Sequence, residues 1–403
     1  MDTNYRNQDR EIFRGREKMS IRPSKSDLSQ EEVFRYARHL TIPEVGLEGQ
    51  ARLKEASALV VGTGGLGSPV ALYLAGAGVG HIGLVDYDTV DSSNLQRQVI
   101  HDTKQLGRAK VESARERILA LNPMVQVDIY NEMLTAENSE KIISAYDLVL
   151  DGTDNLPSRY LINDTCVLLG KPYIYGSVYQ FEGQTAVFDA RSGPCYRCIF
   201  KEPPPAASMP SGVQLGVFGA LPGIIGTVQV AEAIKLIIGI GKPLIGNLVL
   251  YDALNVVFHK LEVSKDPRCL ICGEAPQIHS LNDRPGDYLS VDPEPLADEY
   301  FITPLELNEK IQQGEVLQLI DVRSKAERKI STIEGSRLIP LGQLSNRLSE
   351  VDSRQLIVLY SRENVQAAAA AEILLNAGYS HLRVLRGGIN AWAHQIDTSL
   401  YQY

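Results

Sequence analysis

Residues 58–61 form an apolar run that stops abruptly at Gly62-Thr63-Gly64-Gly65-Leu66-Gly67, and a helix-like segment, SPVALYLAGAG, follows at once. Glycines at such a strand-to-helix turn have a chemical use. Without Cβ atoms the backbone can approach a phosphate, and the free N–H groups and positive dipole end of the new helix face the anion. Gly62, Gly64, Gly65 and Gly67 are therefore candidate phosphate-binding residues. Residues 81–85 read as a second strand ending in Asp86-Tyr87-Asp88, and a carboxylate about twenty residues beyond such glycines is placed to hold a ribose hydroxyl. By itself this pattern suits NAD or FAD as readily as a mononucleotide. The next stretch, SSNLQRQVIHDTKQLGRAK, sets Asn94, Arg97 and Lys110 just beyond the ribose carboxylate. A nicotinamide has no use for that cluster. A triphosphate does, because in-line displacement at the α-phosphate builds charge on the phosphoryl and pyrophosphate oxygens that Arg, Lys and a metal ion stabilise.

Two further groups could do chemistry. Asp154 stands in Asp151-Gly152-Thr153-Asp154-Asn155, at the end of a buried strand over residues 147–150. It reads either as a turn or N-cap residue or as the holder of a magnesium ion that bridges the ATP phosphates. Cys195-Tyr196-Arg197-Cys198 and Cys269-Leu270-Ile271-Cys272 are two thiol pairs seventy-odd residues apart. Together they fit tetrahedral Zn²⁺ with four thiolates, a closed structural site with no position left for water. Cys166, in the apolar segment CVLLG, reads as a buried small hydrophobe.

The elements that must position these residues alternate. Helices are expected over 111–121 and 136–145 and strands over 125–130 and 147–150, which predicts a parallel sheet with helices on both faces and ligands at the carboxyl ends of its strands. Residues 173–178 and 184–188 read as a hairpin extending that sheet. A first helix should begin after Ser29, where SQEE supplies an N-cap and an acidic first turn. It would carry Arg35 and Arg38 one turn apart, which by itself suggests a solvated face. The apolar stretch 215–241 contains Pro222, Gln229, Glu232 and Lys235, too many polar groups for a lipid-facing span of about 20 residues, so it is expected to be a buried or half-buried helix.

Length and composition agree with this. A chain of 403 residues, 44% hydrophobic and 22% charged, can bury a sizeable core in two or three domains, and a formal net charge of −9 argues against a general nucleic-acid or membrane-surface role. Four of five cysteines in Cys-x-x-Cys pairs suggest a metal site in a reducing cytoplasm rather than disulfides. The polar N-terminal residues show no signal-peptide pattern. The expected division is a tail over 1–27, a nucleotide domain with the thiol site over 28–273, a Pro/Asp/Asn/Ser-rich linker over 274–299, and a second unit over 300–403.

The motifs VVGTGGLGSPVALYLAGAGVG, DYDTVDSSNLQRQVIH, GRAKVESA, DGTDN and CYRC…CLICG together resemble the MoeB/ThiF/HesA family, prokaryotic relatives of ubiquitin-activating enzymes, colinearly over about residues 29–273. The resemblance implies a Rossmann-like doubly wound α/β adenylation domain. It implies adenylation of the C-terminal Gly-Gly of a ubiquitin-like sulfur carrier by Mg-ATP, with release of pyrophosphate. It implies that Gly65, Asp86, Arg97, Lys110 and Asp154 bind ATP or its metal, and that Arg38 reaches the neighbouring subunit's triphosphate across a homodimer. In relatives that form a thioester or persulfide with their carrier, a cysteine lies in the crossover after the proline-rich segment. The matching position here is Gly212, in PPPAASMPSGVQLG.

Residues 301–399 resemble a rhodanese domain through Asp321-Val322-Arg323 and Gly387-Gly388 to Trp392, which implies a second, smaller α/β unit that donates persulfide sulfur. The chain departs from the family loop, Cys-Arg-x-Gly-x-Arg, with Ser361-Arg362-Glu363-Asn364-Val365-Gln366, and no cysteine follows Cys272. A rhodanese needs that thiolate, so this unit is expected to lack sulfurtransferase activity and to dock the carrier or a donor such as a cysteine desulfurase, or to be a remnant. The combined expectation is a zinc-containing dimeric adenylyltransferase for the molybdopterin carrier. Thiamin- or cysteine-pathway carriers, a nucleotide-binding oxidoreductase and a non-catalytic scaffold stay open.

Overall fold

The computed structural model describes residues 27–203, 216–288 and 296–403. They fall into two compact units that divide between residues 289 and 290. The first unit opens with α1 (Gln30–Arg35), α2 (Ala37–Leu40) and α3 (Gly46–Glu55). Ser29 and Glu32 form the expected capping box on α1. The anticipated single helix breaks at Tyr36, whose side chain is buried and whose hydroxyl accepts a hydrogen bond from Asn122 Nδ2 at 2.8 Å. Arg35 and Arg38 therefore belong to separate short helices.

From there strands and helices alternate: β1 (Ser57–Val61), α4 (Gly67–Ala77), β2 (His81–Val85), α5 (Lys110–Leu121), β3 (Gln126–Tyr130), α6 (Ser139–Ser144), β4 (Leu148–Asp151), α7 (Leu156–Leu169) and β5 (Tyr173–Tyr179). Helix α6 starts later than expected, because the Asn138 side chain ties Thr135 N and the Met133 carbonyl into a turn first. The five strands are parallel in the order β3-β2-β1-β4-β5. Strand β1 shows why its sequence is almost wholly apolar. Ala58 and Val60 enter one core, Leu59 and Val61 the other, so both faces are covered. The chain then adds β6 (Glu182–Phe188), α8 (Tyr196–Ile199), α9 (Leu221–Ile238), β7 (Asn247–Asp252) and β8 (Val257–Glu262), completing an eight-stranded sheet whose last three strands pair antiparallel.

By length and composition α9 could cross a membrane. It lies instead within the fold, with Leu221, Ile225, Val230, Ala233, Leu236 and Ile237 buried. Its polar residues are used: Gln229 Nε2 donates to the Asp151 and Ile174 carbonyls, and Glu232 accepts from Leu244 N. Residues 274–288, expected as linker, belong to the first unit. Ile278 and Leu281 are buried, Asp287 pairs with Arg197, and Tyr288 donates to Asp164.

The second unit comprises β9 (Phe301–Ile302), α10 (Pro304–Gln312), β10 (Leu317–Asp321), α11 (Lys325–Ile330), β11 (Arg337–Leu338), α12 (Leu341–Leu344), β12 (Leu356–Tyr360), α13 (Val365–Asn376), β13 (Leu382–Leu385) and α14 (Gly388–Gln395). Its five strands are all parallel, in the order β11-β10-β12-β13-β9.

Candidate active site and thiol cluster

Strand order reverses between β1 and β4, since β2 and β3 lie to one side of β1 and β4 and β5 to the other. Ligands of open α/β sheets bind at such a crevice, beyond the carboxyl ends of the strands. A cleft opens there, lined by Gly62, Gly64, Gly65, Asp86, Asp88, Arg97, Lys110, Asp154 and Asn155. Most of the sequence-predicted site residues thus converge.

The glycine turn is built by close approach. Gly62 has φ +87°, and a Cβ there would lie 2.8 Å from the Gly152 carbonyl oxygen. A Cβ on Gly67 would lie 1.9 Å from the Gly62 carbonyl oxygen. Gly67 does not line the cleft; it lets α4 start hard against the turn, the packing role of the third glycine. Asp86 fastens the turn to β2: one oxygen accepts from Thr63 N and Oγ1 at 2.7 and 2.9 Å, the other from Asp88 N at 3.0 Å.

Lys110 opens α5, and its ammonium lies 2.8 Å from Asp88 Oδ2, with the lysine side chain 5% exposed and the aspartate 51%. With Asp88 as its partner among the described residues, two of the three ammonium protons are left for another acceptor. Arg97 donates through Nη2 to Asn94 Oδ1 at 2.9 Å. Asn94 does not reach the cleft; it aims the arginine that does. Asp154 is exposed, and its carboxylate has no hydrogen bond or ion pair among the described residues. Asn155 is the N-cap of α7, accepting from Ser158 N at 3.0 Å. Arg38 is exposed on α2 and is not among the lining residues.

Sequence reasoning missed several groups here. Arg159, also on the cleft wall, lies in the first turn of α7, five residues after Asp154. That spacing was its only signal. Asp151 is wholly buried beneath it, accepting from Thr153 N and Oγ1 and from Tyr173 OH at 2.7–2.8 Å. Burial pushes its carboxyl above the usual range, against the pull of Arg159. His101 lies under the glycine turn with a ring nitrogen 3.1 Å from the Thr63 carbonyl.

Among the described residues, the sulfurs of Cys195, Cys198, Cys269 and Cys272 all lie within 4.8 Å of one another. Cys195 is 3.9 Å from Cys198 and 3.6 Å from Cys269, and Cys198 is 3.4 Å from Cys272. A tetrahedron of thiolates about 2.3 Å from zinc would separate its sulfurs by about 3.8 Å, so the four residues fit that ion. Cys166 is buried in the neighbouring core as a small hydrophobe, and burial raises its thiol far above the ordinary range.

Residues 36–271 match the ThiF family, more than half of the chain. The chain belongs to the ThiF family. The "Probable adenylyltransferase/sulfurtransferase MoeZ" of Mycobacterium tuberculosis is 45% identical over 386 residues, covering 94% of this chain and 97% of the relative. The "Sulfur carrier protein adenylyltransferase" of Thermus thermophilus is 52% identical over 260 residues, 63% of this chain and 96% of the relative. Among solved structures, Escherichia coli MccB with ATP superimposes with a TM-score of 0.52 at 22% identity, covering 59% of this chain and 74% of that one, which supports the fold.

Beyond the ThiF domain, residues 303–395 match the rhodanese-like domain family. The loop between β12 and α13 is closed on itself. Ser361 is 2% exposed; its hydroxyl donates to the Glu363 carbonyl at 2.8 Å and accepts from Ala367 N at 3.2 Å. Asn364 Oδ1 accepts from Gly387 N at 2.6 Å. Asp321 and Arg323, which carried part of the resemblance, form a buried pair at 2.7 Å beneath β12.

Proposed function

We propose that this ThiF-family protein uses ATP to adenylate the C-terminal Gly-Gly carboxylate of a ubiquitin-like sulfur carrier. It is an adenylyltransferase. The observation that carries the reading is one cleft at the sheet's reversal point lined by the glycine turn, Asp86, Arg97, Lys110 and Asp154, and the relatives' names agree with it. A carboxylate oxygen attacks the α-phosphorus, and the bond to the bridging oxygen breaks to release pyrophosphate. Arg97, held by Asn94, and Lys110 offset the charge that gathers on the phosphoryl oxygens. Asp154 would hold Mg²⁺, which would supply positive charge to the phosphates. Arg38, exposed and outside the cleft of its own chain, would act on the partner subunit's nucleotide in a homodimer.

The four cysteines would hold one structural Zn²⁺, which suits a reducing cytoplasm. The carrier for molybdopterin synthesis is the preferred substrate, ahead of thiamin- or cysteine-pathway carriers. Gly212, at the position of a carrier-linking cysteine in some relatives, lies outside the described residues; the reading has the acyl-adenylate passed on without a covalent link there. The rhodanese-like unit, with Ser361 at the place of the sulfur-carrying cysteine, would dock the carrier or a sulfur donor such as a cysteine desulfurase.

The test incubates the protein with Mg-ATP and each candidate carrier and weighs the carrier by intact mass spectrometry. Adenylate should form, and Arg97→Ala or Lys110→Ala should slow it by on the order of a hundredfold. Wild-type protein that modifies no carrier and supports no carrier-dependent pyrophosphate exchange would leave the non-catalytic scaffold as the better reading.

A further inference from the structure

We infer that Arg159 binds the carboxylate that is to be adenylated. The inference rests on the proposed function and adds a residue to its acyl-acceptor side. Three cationic side chains line the cleft among the described residues: Arg97, Lys110 and Arg159. The first two stand on the side of β1 and β2, with the glycine turn and Asp86. Arg159 stands on the other side of the reversal, on the helix that follows β4, and Val178 of β5 lines the same cleft. A nucleotide held by the glycine turn leaves that side for the second reactant.

The geometry of Arg159 differs from that of a structural counterion, and the same chain supplies the comparison. Buried Arg197 forks onto Asp164 with contacts of 2.9, 2.9 and 2.7 Å, and buried Arg323 forks onto Asp321 at 2.9 and 2.7 Å. Arg159 is also buried, though at 9% exposed it is less so than those two, and its nearest approach to Asp151 is 3.8 Å from Nε to Oδ2. That Nε is buried without a hydrogen-bond partner, and Nη2 reaches only the Thr153 carbonyl at 3.3 Å. Asp151 is meanwhile satisfied by Thr153 and Tyr173. The guanidinium is held 5.5 Å over the Tyr175 ring, beside the capped N-terminus of α7, whose dipole also favours an anion. A planar fork with donor capacity to spare, facing a cleft, matches a carboxylate. Its charge would offset the repulsion between the incoming carboxylate and the triphosphate. The attacking oxygen and the departing pyrophosphate are those of the adenylation step itself.

The experiment pairs a change in the protein with a change in the carrier. Carriers ending in a carboxylate or in a carboxamide are titrated onto wild type, Arg159→Lys and Arg159→Gln in the presence of a non-hydrolysable ATP analogue, and adenylation kinetics are measured against each substrate. Wild type should prefer the carboxylate carrier, and Arg159→Gln should lose that preference by about tenfold or more. The carrier KM should rise in both variants while the ATP KM stays within about twofold of wild type. Arg159→Lys keeps a charge opposite Asp151, so it reads the role even if Arg159→Gln fails to fold. A variant that keeps the full carboxylate preference, or loses ATP affinity instead, overturns the inference alone. Wild-type protein that adenylates no carrier overturns the proposed function and the inference with it.

Discussion

His101 carries a pH dependence. It is 6% exposed, with Nε2 3.1 Å from the Thr63 carbonyl and Nδ1 2.7 Å from Ser113 Oγ, so it ties the glycine turn to α5, the helix that begins with Lys110. A carbonyl only accepts, so the neutral ring carries its proton on Nε2 and takes the Ser113 hydroxyl proton at Nδ1. That single proton cannot also serve Gln105 Oε1, 2.5 Å away, so a neutral ring requires the Gln105 amide nitrogen to face Ser113. Burial holds the imidazole below its ordinary 6.5, Lys110 pushing the same way while the Thr63 carbonyl, Asp86 and Asp102 push back. The folded chain therefore binds this proton less readily than the unfolded one. Its contribution to stability is full above about pH 6.5, the unfolded value, and falls away as the pH drops below it and through the lower folded value. Thermal melts between pH 7.5 and 5.5 should show a larger loss for wild type than for His101→Asn; parallel curves would contradict this. His101 closes the motif DYDTVDSSNLQRQVIH, but nothing in that motif gave it a role, whereas Arg97 and Lys110 were legible as cations that follow the glycine turn and Asp86. Arg159 was not, because an arginine on a helix reads equally as solvated surface.

At the scale of elements, the legible features were the periodic ones. Strands β1, β2 and β4 and their helices could be read because burial on both faces demands continuous apolar runs. The segment 274–288 could not, because polar anchors fasten it rather than an apolar stripe. Arg197 of α8, between Cys195 and Cys198, joins Asp164 of α7 to Asp287, and Tyr288 closes on the same Asp164 at 2.8 Å. All of Arg197 is buried, and breaking such a pair by removing one partner costs about 3–5 kcal/mol. The thiol-bearing α8 therefore organises α7, which Asn155 caps and which carries Arg159, and this segment together. Metal there should stabilise folding rather than chemistry. About one zinc per chain is expected, and Cys195→Ala or Cys269→Ala should lower the melting temperature by on the order of 10 °C. Metal-free protein of unchanged stability and activity would refute a structural zinc.

For the whole molecule, the first expectation concerns Arg38. If it serves the partner subunit, Arg38→Ala and Asp154→Ala homodimers should each be inactive, yet an equimolar mixture after subunit exchange should regain about a quarter of all sites, because about half of the dimers are heterodimers and each keeps one of its two sites with both residues. No recovery after verified exchange would mean that Arg38 acts within its own chain or not at all. The second concerns the rhodanese-like unit, where the fold was legible and Ser361 stands at the place of the family's loop cysteine. Carrying sulfur requires a thiolate whose charge is held by inward-pointing N–H groups. At that position Ser361 gives its proton to the Glu363 carbonyl, and the Gly387 N–H is donated to Asn364 Oδ1, so neither is free to hold a thiolate. The backbone also leaves little room to reshape the loop, since a Cβ on Gly388 would lie 2.4–2.6 Å from the carbonyl oxygens of Ser361, Arg362 and Glu363. With no cysteine after Cys272, no other thiol of this unit can substitute. Purified protein should show no thiosulfate:cyanide sulfurtransferase activity, and thiocarboxylation of an adenylated carrier should require an added sulfur source such as a cysteine desulfurase. A persulfide found on this chain after incubation with thiosulfate, or thiocarboxylate formed from thiosulfate without a second protein, would show that sulfur is carried by another route.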